Sequence, residues 1–376
     1  MPVILHVITT INGGGAEAAL RRLVLADRAN THHVVSLTGG GAPDLVAGGV
    51  AVETLDMPAG TVTRRGLARL ARLIRQLQPN VIQTWMYHAD LVGGVVARTV
   101  SKAPVLWGIR NAYLDKPLTS ARTRAVARAC ALLSHVVPAR IVSCSQVAAQ
   151  LHVERGYARA KMRVIANGYD QHELAPDAAG RAALRAEWQI GPDTMLLGMV
   201  ARWDAQKDHR NLIAALAQLR AQQDFDWRCA LIGGGMTAEN LVLVQLLAEA
   251  GIRDRVLLCG ARSSVSALMS ALDLHVLSSC GEAFPNVVAE AMACGTPCVV
   301  TAVGDAALIV GETGWVVPAR DPRALAAAIS AAAAELADPQ QRAARQQAAR
   351  ARITGQFNID RMVRGYQDLW TEVAIR

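Results

Sequence analysis

The segment from Ser278 to Pro318, SSCGEAFPNVVAEAMACGTPCVVTAVGDAALIVGETGWVVP, restricts the fold more than any other part of the chain. Just before it, Ala271–Leu277 (ALDLHVL) reads as a buried strand, and inside it Thr296–Val303 (TPCVVTAV) reads as another. Between them Asn286 starts a helix carrying Val287, Val288, Glu290, Ala291 and Met292. Two largely apolar strands joined through a helix belong in a parallel sheet covered on both faces. The loop leaving the first strand then lies at the carboxyl edge of that sheet, where open α/β sheets bind ligands. Two carboxylates, Glu282 and Glu290, flank the Phe284-Pro285-Asn286 turn there. The first helical turn has free backbone N–H groups and a partial positive charge, which suit a phosphate. One glutamate can accept hydrogen bonds from sugar hydroxyls and the other from a ribose, with a diphosphate between them. A nucleotide-sugar fits that arrangement. A pair of glutamates at this spacing is also common among solvated charges, so the neighbouring residues decide.

Those neighbours are specific. Phe-Pro-Asn stands between the glutamates, Ala-Met-Ala-Cys-Gly-Thr-Pro follows them, and Gly-Trp-Val-Val-Pro closes the segment. The pattern resembles the retaining glycosyltransferases of family 4, which have the GT-B fold. The resemblance implies an α/β architecture of two Rossmann-like parallel-sheet domains facing across a cleft, with a C-terminal helix crossing back to the first domain. The expected acceptor-side domain is 1–169 with 358–376, and the expected nucleotide-sugar domain is 170–357.

Composition agrees with a large enzyme. At 376 residues, 52% hydrophobic and 19% charged, the chain can bury two cores. A formal net charge of +8 and a pI near 9.4 point to an acidic partner: a nucleotide-sugar, a lipid phosphate, an anionic membrane face or nucleic acid. No run of about 18–20 apolar residues suggests a membrane span. Met1–Ile11 lacks a basic leader and a cleavage site, so it reads as a first strand. The seven cysteines are scattered, mostly in apolar runs, and show no metal-ligand spacing. They are expected to be reduced core residues of a cytoplasmic protein.

In chain order, Val3–Thr9 is a strand, followed by the loop Asn12-Gly13-Gly14-Gly15 and a helix from Ala18 to Arg28. Glycines there let a ligand approach the backbone, or make only a flexible turn. The resemblance counts Gly14 and Gly15 with the donor-binding set, across the cleft from the donor phosphates and near the acceptor. Val34–Leu37 and Val50–Leu55 read as strands. The helix Arg64–Leu77 has an apolar stripe and a face bearing Arg64, Arg65, Arg69, Arg72 and Arg75. That face is either solvated or a peripheral contact with anionic lipid at the inner face of the cytoplasmic membrane. His88 follows the strand Val81–Thr84, and is either an ordinary histidine or, as the resemblance implies, one near the reacting sugar. After the strand at Val105, Arg110 and Asn111 stand where many relatives have His-Gly; they are expected to bind the acceptor. Tyr113–Arg128 adds further cations, Ser145 is a helix cap, and Asn167-Gly168 closes the first domain. Pro176, Asp177 and Gly180 read as a linker.

In the second half, Met195–Val200 is a strand, and Arg202 and Lys207 leave its end. They are expected to converge on one diphosphate and to neutralise the charge that grows on it. The alternative is two surface cations; the resemblance implies the clamp. It also places Gly234 near the base or phosphates, and the backbone around Arg262 against the base. Glu290 would hold the ribose, and Glu282 with Ala283, Phe284, Pro285, Asn286 and Val287 the sugar. Pro322–Arg352 reads as two surface helices, and Asp360–Val373 as the helix that returns.

The expected activity is transfer of a sugar from a nucleotide-sugar (UDP- or GDP-linked) to a saccharide or polyprenyl-diphosphate-linked acceptor, in cell-surface polysaccharide or lipopolysaccharide assembly. Catalysis is assigned to Glu282, Arg202, Lys207 and His88. No residue stands out as a nucleophile on the far face of the sugar, which fits what the resemblance implies: retention by same-face attack, with the leaving phosphate helping to deprotonate the acceptor. No carboxylate-rich metal site is evident, so neither a metal nor another cofactor is expected. Two other classes remain. A nucleotide-sugar epimerase of the same fold would need carboxylates in the first domain, and no such cluster is seen. A nucleic-acid binder would interleave aromatics with its cations, and this chain does not.

Overall fold

The computed structural model describes residues 1–116, 118–222 and 225–374. Two units are distinguished, Met1–Gly168 with Ile359–Arg376, and Tyr169–Asn358.

The first unit holds seven strands: β1 (Val3–Ile8), β2 (Thr31–Ser36), β3 (Ala51–Thr54), β4 (Val81–Trp85), β5 (Val105–Ile109), β6 (Arg140–Ser143) and β7 (Met162–Val164). They lie in the order β3-β2-β1-β4-β5-β6-β7, every neighbouring pair parallel. The central strands β4 and β5 are buried at every position because helices cover both faces; β5 is a continuous apolar run, while β4 carries Gln83 and Thr84, buried with hydrogen-bond partners.

The terminal helix Ile359–Ala374 is part of this unit for a visible reason. It buries Met362, Tyr366, Leu369 and Trp370 in the first core. Beneath it runs a buried chain of donors. Trp85 Nε1–H donates to His6 Nδ1 at 3.2 Å, which leaves His6 Nε2–H to donate to His32 Nδ1 at 3.0 Å. His32 Nε2 then lies 3.2 Å from Asp27 Oδ2. Gln367 of the helix donates to the other oxygen of Asp27 at 2.8 Å. The one-way donation fixes both imidazole tautomers.

The second unit holds β8 (Met195–Val200), β9 (Trp227–Ile232), β10 (Val256–Leu258), β11 (Leu274–Leu277), β12 (Cys298–Thr301) and β13 (Trp315–Val317). Their order is β10-β9-β8-β11-β12-β13, again parallel throughout.

Three expectations change. The strand expected over Ala271–Leu277 begins only at Leu274, because Ala271 closes the helix Val265–Ala271. Asp273 fills the gap, accepting from Leu196 N–H at 2.8 Å and from Arg181 and Arg185 at 2.6 and 2.9 Å. The expected linker is a helix start. Asp177 accepts from Gly180 N–H at 2.7 Å and caps the helix Ala178–Glu187, so the turn-forming residues serve as a cap. Of the two helices expected on the surface, Pro322–Ala337 is a core element that buries Leu325, Ile329 and Leu336. Pro339–Gln356 buries only Ala349 and Ile353. Alanine-rich helices hide their apolar stripe in sequence, because alanine itself is compatible with either face.

Candidate functional site

In the second unit the strand order reverses between β8 and β11, and the loops leaving those strands carry most of the expected site. The two loops are joined through backbone. Cys280 N–H donates to the Gln206 carbonyl at 2.8 Å, and Ser278 Oγ–H reaches the carbonyls of Lys207 and Asp208 at 3.0 and 3.1 Å. Asp208 adopts φ +47°, turning the chain from the 3₁₀ turn Ala205–Lys207 into the helix His209–Gln222.

At their meeting point Lys207 Nζ donates to Glu282 Oε1 at 2.6 Å, and Ser279 Oγ donates to the same oxygen at 2.8 Å. The Lys207 and Glu282 side chains are only 19% and 11% exposed, so the pair is far better shielded than a surface ion pair. Among the described residues Glu282 Oε2 takes no hydrogen bond, and it is the atom that can face a ligand hydroxyl. The loop after β12 fixes the glutamate from behind. Thr301 Oγ1 donates to the Ser279 carbonyl at 2.6 Å, and Asp305 N–H to that of Ala283 at 2.9 Å. Gly304 turns at φ +51°, where a Cβ would stand 2.4 Å from the carbonyl oxygens of both Glu282 and Ala283. Only glycine fits there.

Arg202 and Lys207 pair with different carboxylates in this structure. Arg202 Nη2 lies 3.0 Å from Asp204 Oδ2, with its side chain 65% exposed, while Lys207 faces Glu282. The pairing with Asp204 is local and wet, so an arriving anion can take the guanidinium over at little cost. Burial opposes ionisation of Asp204, but the Gln206 N–H and Arg202 hold its carboxyl below the usual range. His209 lies against Trp203 with ring centroids 5.0 Å apart and the ring planes tilted by 36°. Burial, and then the Lys207 charge, push its pKa down to about 4, so the ring is neutral.

The glycine loop after β9 packs on this region. Trp203 N–H donates to the Gly234 carbonyl at 2.7 Å, and Gly233 N–H to the Gly260 carbonyl at 2.8 Å. Gly234 therefore sits beside Arg202. Arg262, one loop further along, is turned to Glu187 at 2.7 Å and to the Cys259 carbonyl at 3.1 Å. Ala283, Phe284 and Pro285 are buried, and Phe284 meets Phe357 edge-on with centroids 5.7 Å apart. Pro285 is the N-cap of the helix Asn286–Ala293. Asn286 Oδ1 accepts from Tyr169 Oη–H at 2.6 Å, and Val287 and Glu290 are half-buried on the same helix.

The first unit has its own reversal, between β1 and β4. After β1, Asn12–Gly15 is exposed, and Gly14 is the N-cap of the helix Gly15–Ala26, which starts earlier than the sequence suggests. After β4, Met86 takes φ +73° and ψ +152°, an uncommon conformation for a side-chain-bearing residue. Strain of this kind clusters at sites. His88 follows in the first turn of the helix Tyr87–Val100, half-buried, its pKa lowered by burial and by Arg122. Arg110 is spent on the framework. It donates to Asn167 Oδ1 and Tyr366 Oη, each at 2.7 Å, and lies 4.4 Å above the Trp85 ring. Asn111 donates to the Tyr113 carbonyl at 3.2 Å. Both side chains thus shape the unit as it stands.

Sequence reasoning missed Ser279, Asp204 and Gly304. The signal for Gly304 was present as Val-Gly-Asp directly after a strand, but its contact with the glutamate loop depends on sheet neighbours far apart in sequence. Among the described residues no group of three or more His, Cys, Asp or Glu could hold a metal ion.

Residues 13–173 match the family model described as Glycosyltransferase Family 4, and residues 194–335 match Glycosyl transferases group 1. The N-acetyl-alpha-D-glucosaminyl L-malate synthase of Bacillus anthracis is 29% identical over 192 residues, 50% of this chain and 49% of that protein. The lipopolysaccharide core biosynthesis mannosyltransferase LpcC of Rhizobium leguminosarum is 31% identical over 204 residues, 53% of this chain and 56% of that protein. The chain spans about half the length of the curated relatives it matches. A crystal structure of Anabaena HepE in complex with UDP and glucose superposes with a TM-score of 0.87 at 21% identity, over 99% of this chain and 100% of that one. That likeness is one of fold.

Proposed function

From a chain that belongs to the family 4, group 1 glycosyltransferases, we propose an enzyme that moves a sugar from a nucleotide-sugar to a saccharide or lipid-linked saccharide acceptor. The observation that carries the reading is the Lys207–Glu282–Ser279 cluster at the reversal of the second sheet, beside Arg202 and the start of the helix Asn286–Ala293. The donor diphosphate lies on Arg202, Lys207 and that helix start. Glu282 Oε2 and the backbone from Ala283 to Val287 take the sugar hydroxyls, Glu290 the ribose, and Gly234 and the backbone at Arg262 the base. The acceptor side falls to His88 and the Gly14–Gly15 loop.

The acceptor hydroxyl attacks the anomeric carbon on the face from which the diphosphate departs. A carbon–oxygen bond forms to the acceptor, the bond to the phosphate oxygen breaks, and the hydroxyl proton passes to the leaving phosphate. Negative charge grows on that phosphate, and the two cations with the helix N–H groups stabilise it. No metal is required in this scheme. A lipopolysaccharide or capsule precursor at the inner membrane face is the preferred acceptor class, supported by the mannosyltransferase relative and by the arginine face of Arg64–Leu77. No helix among the described residues is long and apolar enough to cross a membrane.

Thermal stabilisation by UDP, GDP and ADP in EDTA tests the reading. One of them should stabilise by about 2.7 kcal/mol at a hundredfold excess over its Kd. Lys207→Ala and Glu290→Ala should each abolish the shift. No response to any nucleotide, or a response unchanged in both variants, would overturn the assignment.

A further inference from the structure

A pocket of about 400 Å³ lies in the first unit, away from every residue assigned above. Its position follows from the sheet. Val105 is the first residue of β5, Arg140 the first of β6, and Lys161 immediately precedes β7. The pocket is therefore at the amino edge of a parallel sheet whose carboxyl edge carries His88 and Arg110. Strands of five residues separate the two edges by roughly 16 Å.

Four cations line it: Arg98, Lys102, Arg140 and Lys161, above a floor that includes Val105 and Val137. No carboxylate lines it among the described residues. Arg98 and Lys102 are exposed at its rim. Lys161 uses two of its three N–H bonds on the carbonyls of Ser134 and His135, at 3.1 and 2.6 Å. Arg140 pairs with Glu372, its side chain only 13% exposed, and its Nε is buried with no partner. The cations also act on one another. Burial lowers the Lys161 pKa, and the charges of Arg98 and Arg140 lower it further. A framework role explains Arg140 and Lys161, but not the gathering of Arg98 and Lys102 around the same open volume.

We propose that this pocket is a second, non-catalytic site for a phosphate or diphosphate group, with any attached apolar portion lying on the valine floor. A dianion relieves the mutual repulsion and accepts from the exposed Arg98 and Lys102. The size is that of a small-ligand site. A free phosphate ester and an anionic lipid headgroup both carry such a phosphate, and the two arms of the experiment separate them.

The experiment uses the full chain in phosphate-free buffer. Pyrophosphate binding is measured by calorimetry on the wild type, on Lys207→Ala, and on the double variant Arg98→Glu/Lys102→Glu, whose exposed positions leave the fold intact. Sedimentation with phosphatidylcholine vesicles, with and without phosphatidate, forms the second arm, and includes Arg65→Glu/Arg72→Glu. Pyrophosphate binding that persists in Lys207→Ala and weakens at least about tenfold in the double variant supports the site with a free phosphate as occupant. Absence of pyrophosphate binding, with phosphatidate-dependent sedimentation lost in Arg98→Glu/Lys102→Glu but kept in Arg65→Glu/Arg72→Glu, supports it with a lipid as occupant. The proposal fails if neither ligand responds to reversal of Arg98 and Lys102.

Discussion

At the scale of single residues, the candidate site depends on positions that aim the proposed reactive groups as much as on those groups themselves. Glu282 is aimed by Lys207, by Ser279, and by a loop that passes so close behind it that residue 304 must lack a Cβ. Gly304→Ala should cost about 1–3 kcal/mol and weaken nucleotide binding, because either the φ of +51° or the Glu282–Ala283 carbonyls must shift. The control is Gly355→Ala, in the exposed last turn of Pro339–Gln356, where a Cβ meets nothing within 4 Å. That change should leave binding unaltered and stabilise by about 0.5–1 kcal/mol. Thermal melts with and without nucleotide compare the two, and equal behaviour would refute the packing argument.

At the scale of elements, the helix Ile359–Ala374 is the clearest case of a segment placed by packing. Trp370 is 3% exposed, with ring centroids 5.5 Å from Tyr366, 5.8 Å from His6 and 5.9 Å from His32. Trp370→Ala should cost about 3–5 kcal/mol. Hydrogen exchange should show the loss in β1, β2 and the terminal helix, with β8 and β11 retaining their protection. The amphipathic pattern of this helix was legible, since Met362, Tyr366, Leu369 and Trp370 recur at helical spacing. Its partners were not, because the Trp85–His6–His32–Asp27 chain crosses β4, β1 and β2, three strands that are adjacent only in the folded sheet, before it reaches the cap of the helix Gly15–Ala26.

At the scale of the whole molecule, buried titratable groups set the pH range of stability. His152, His209 and His275 are each pushed by burial to a pKa of about 4, and His6 well below its ordinary value. These rings are neutral in the folded chain and become charged on unfolding below pH 6.5. Unfolding therefore takes up protons, and their contribution is lost as pH falls from about 6.5 toward 4. Asp90 acts in the opposite sense. Burial raises its pKa to about 8, against hydrogen bonds from Thr84 and Gly108 that favour the carboxylate. It stays protonated when folded and ionises when unfolded, so its contribution is lost as pH rises from about 4 to 8. The melting temperature should peak near neutral pH, with a steep acid limb and a shallower alkaline one. Asp90→Asn should flatten the alkaline limb, and an unchanged limb would remove Asp90 from the account.

The sequence by itself determined the class of fold and where the candidate site of the second unit falls in the chain. Near-continuous apolar strands alternating with helices admit a parallel sheet, and Glu-Ala-Phe-Pro-Asn after one of them lies at its carboxyl edge. Those signals are local, carried by residues a few positions apart. Tertiary structure alone decided that Lys207 meets Glu282 rather than Arg202's partner, that Arg110 serves the framework, and that Asp177 caps a helix. It also brought four cations together at the amino edge of the first sheet. Each of these depends on which strands become neighbours, and that is fixed by burial of the whole core.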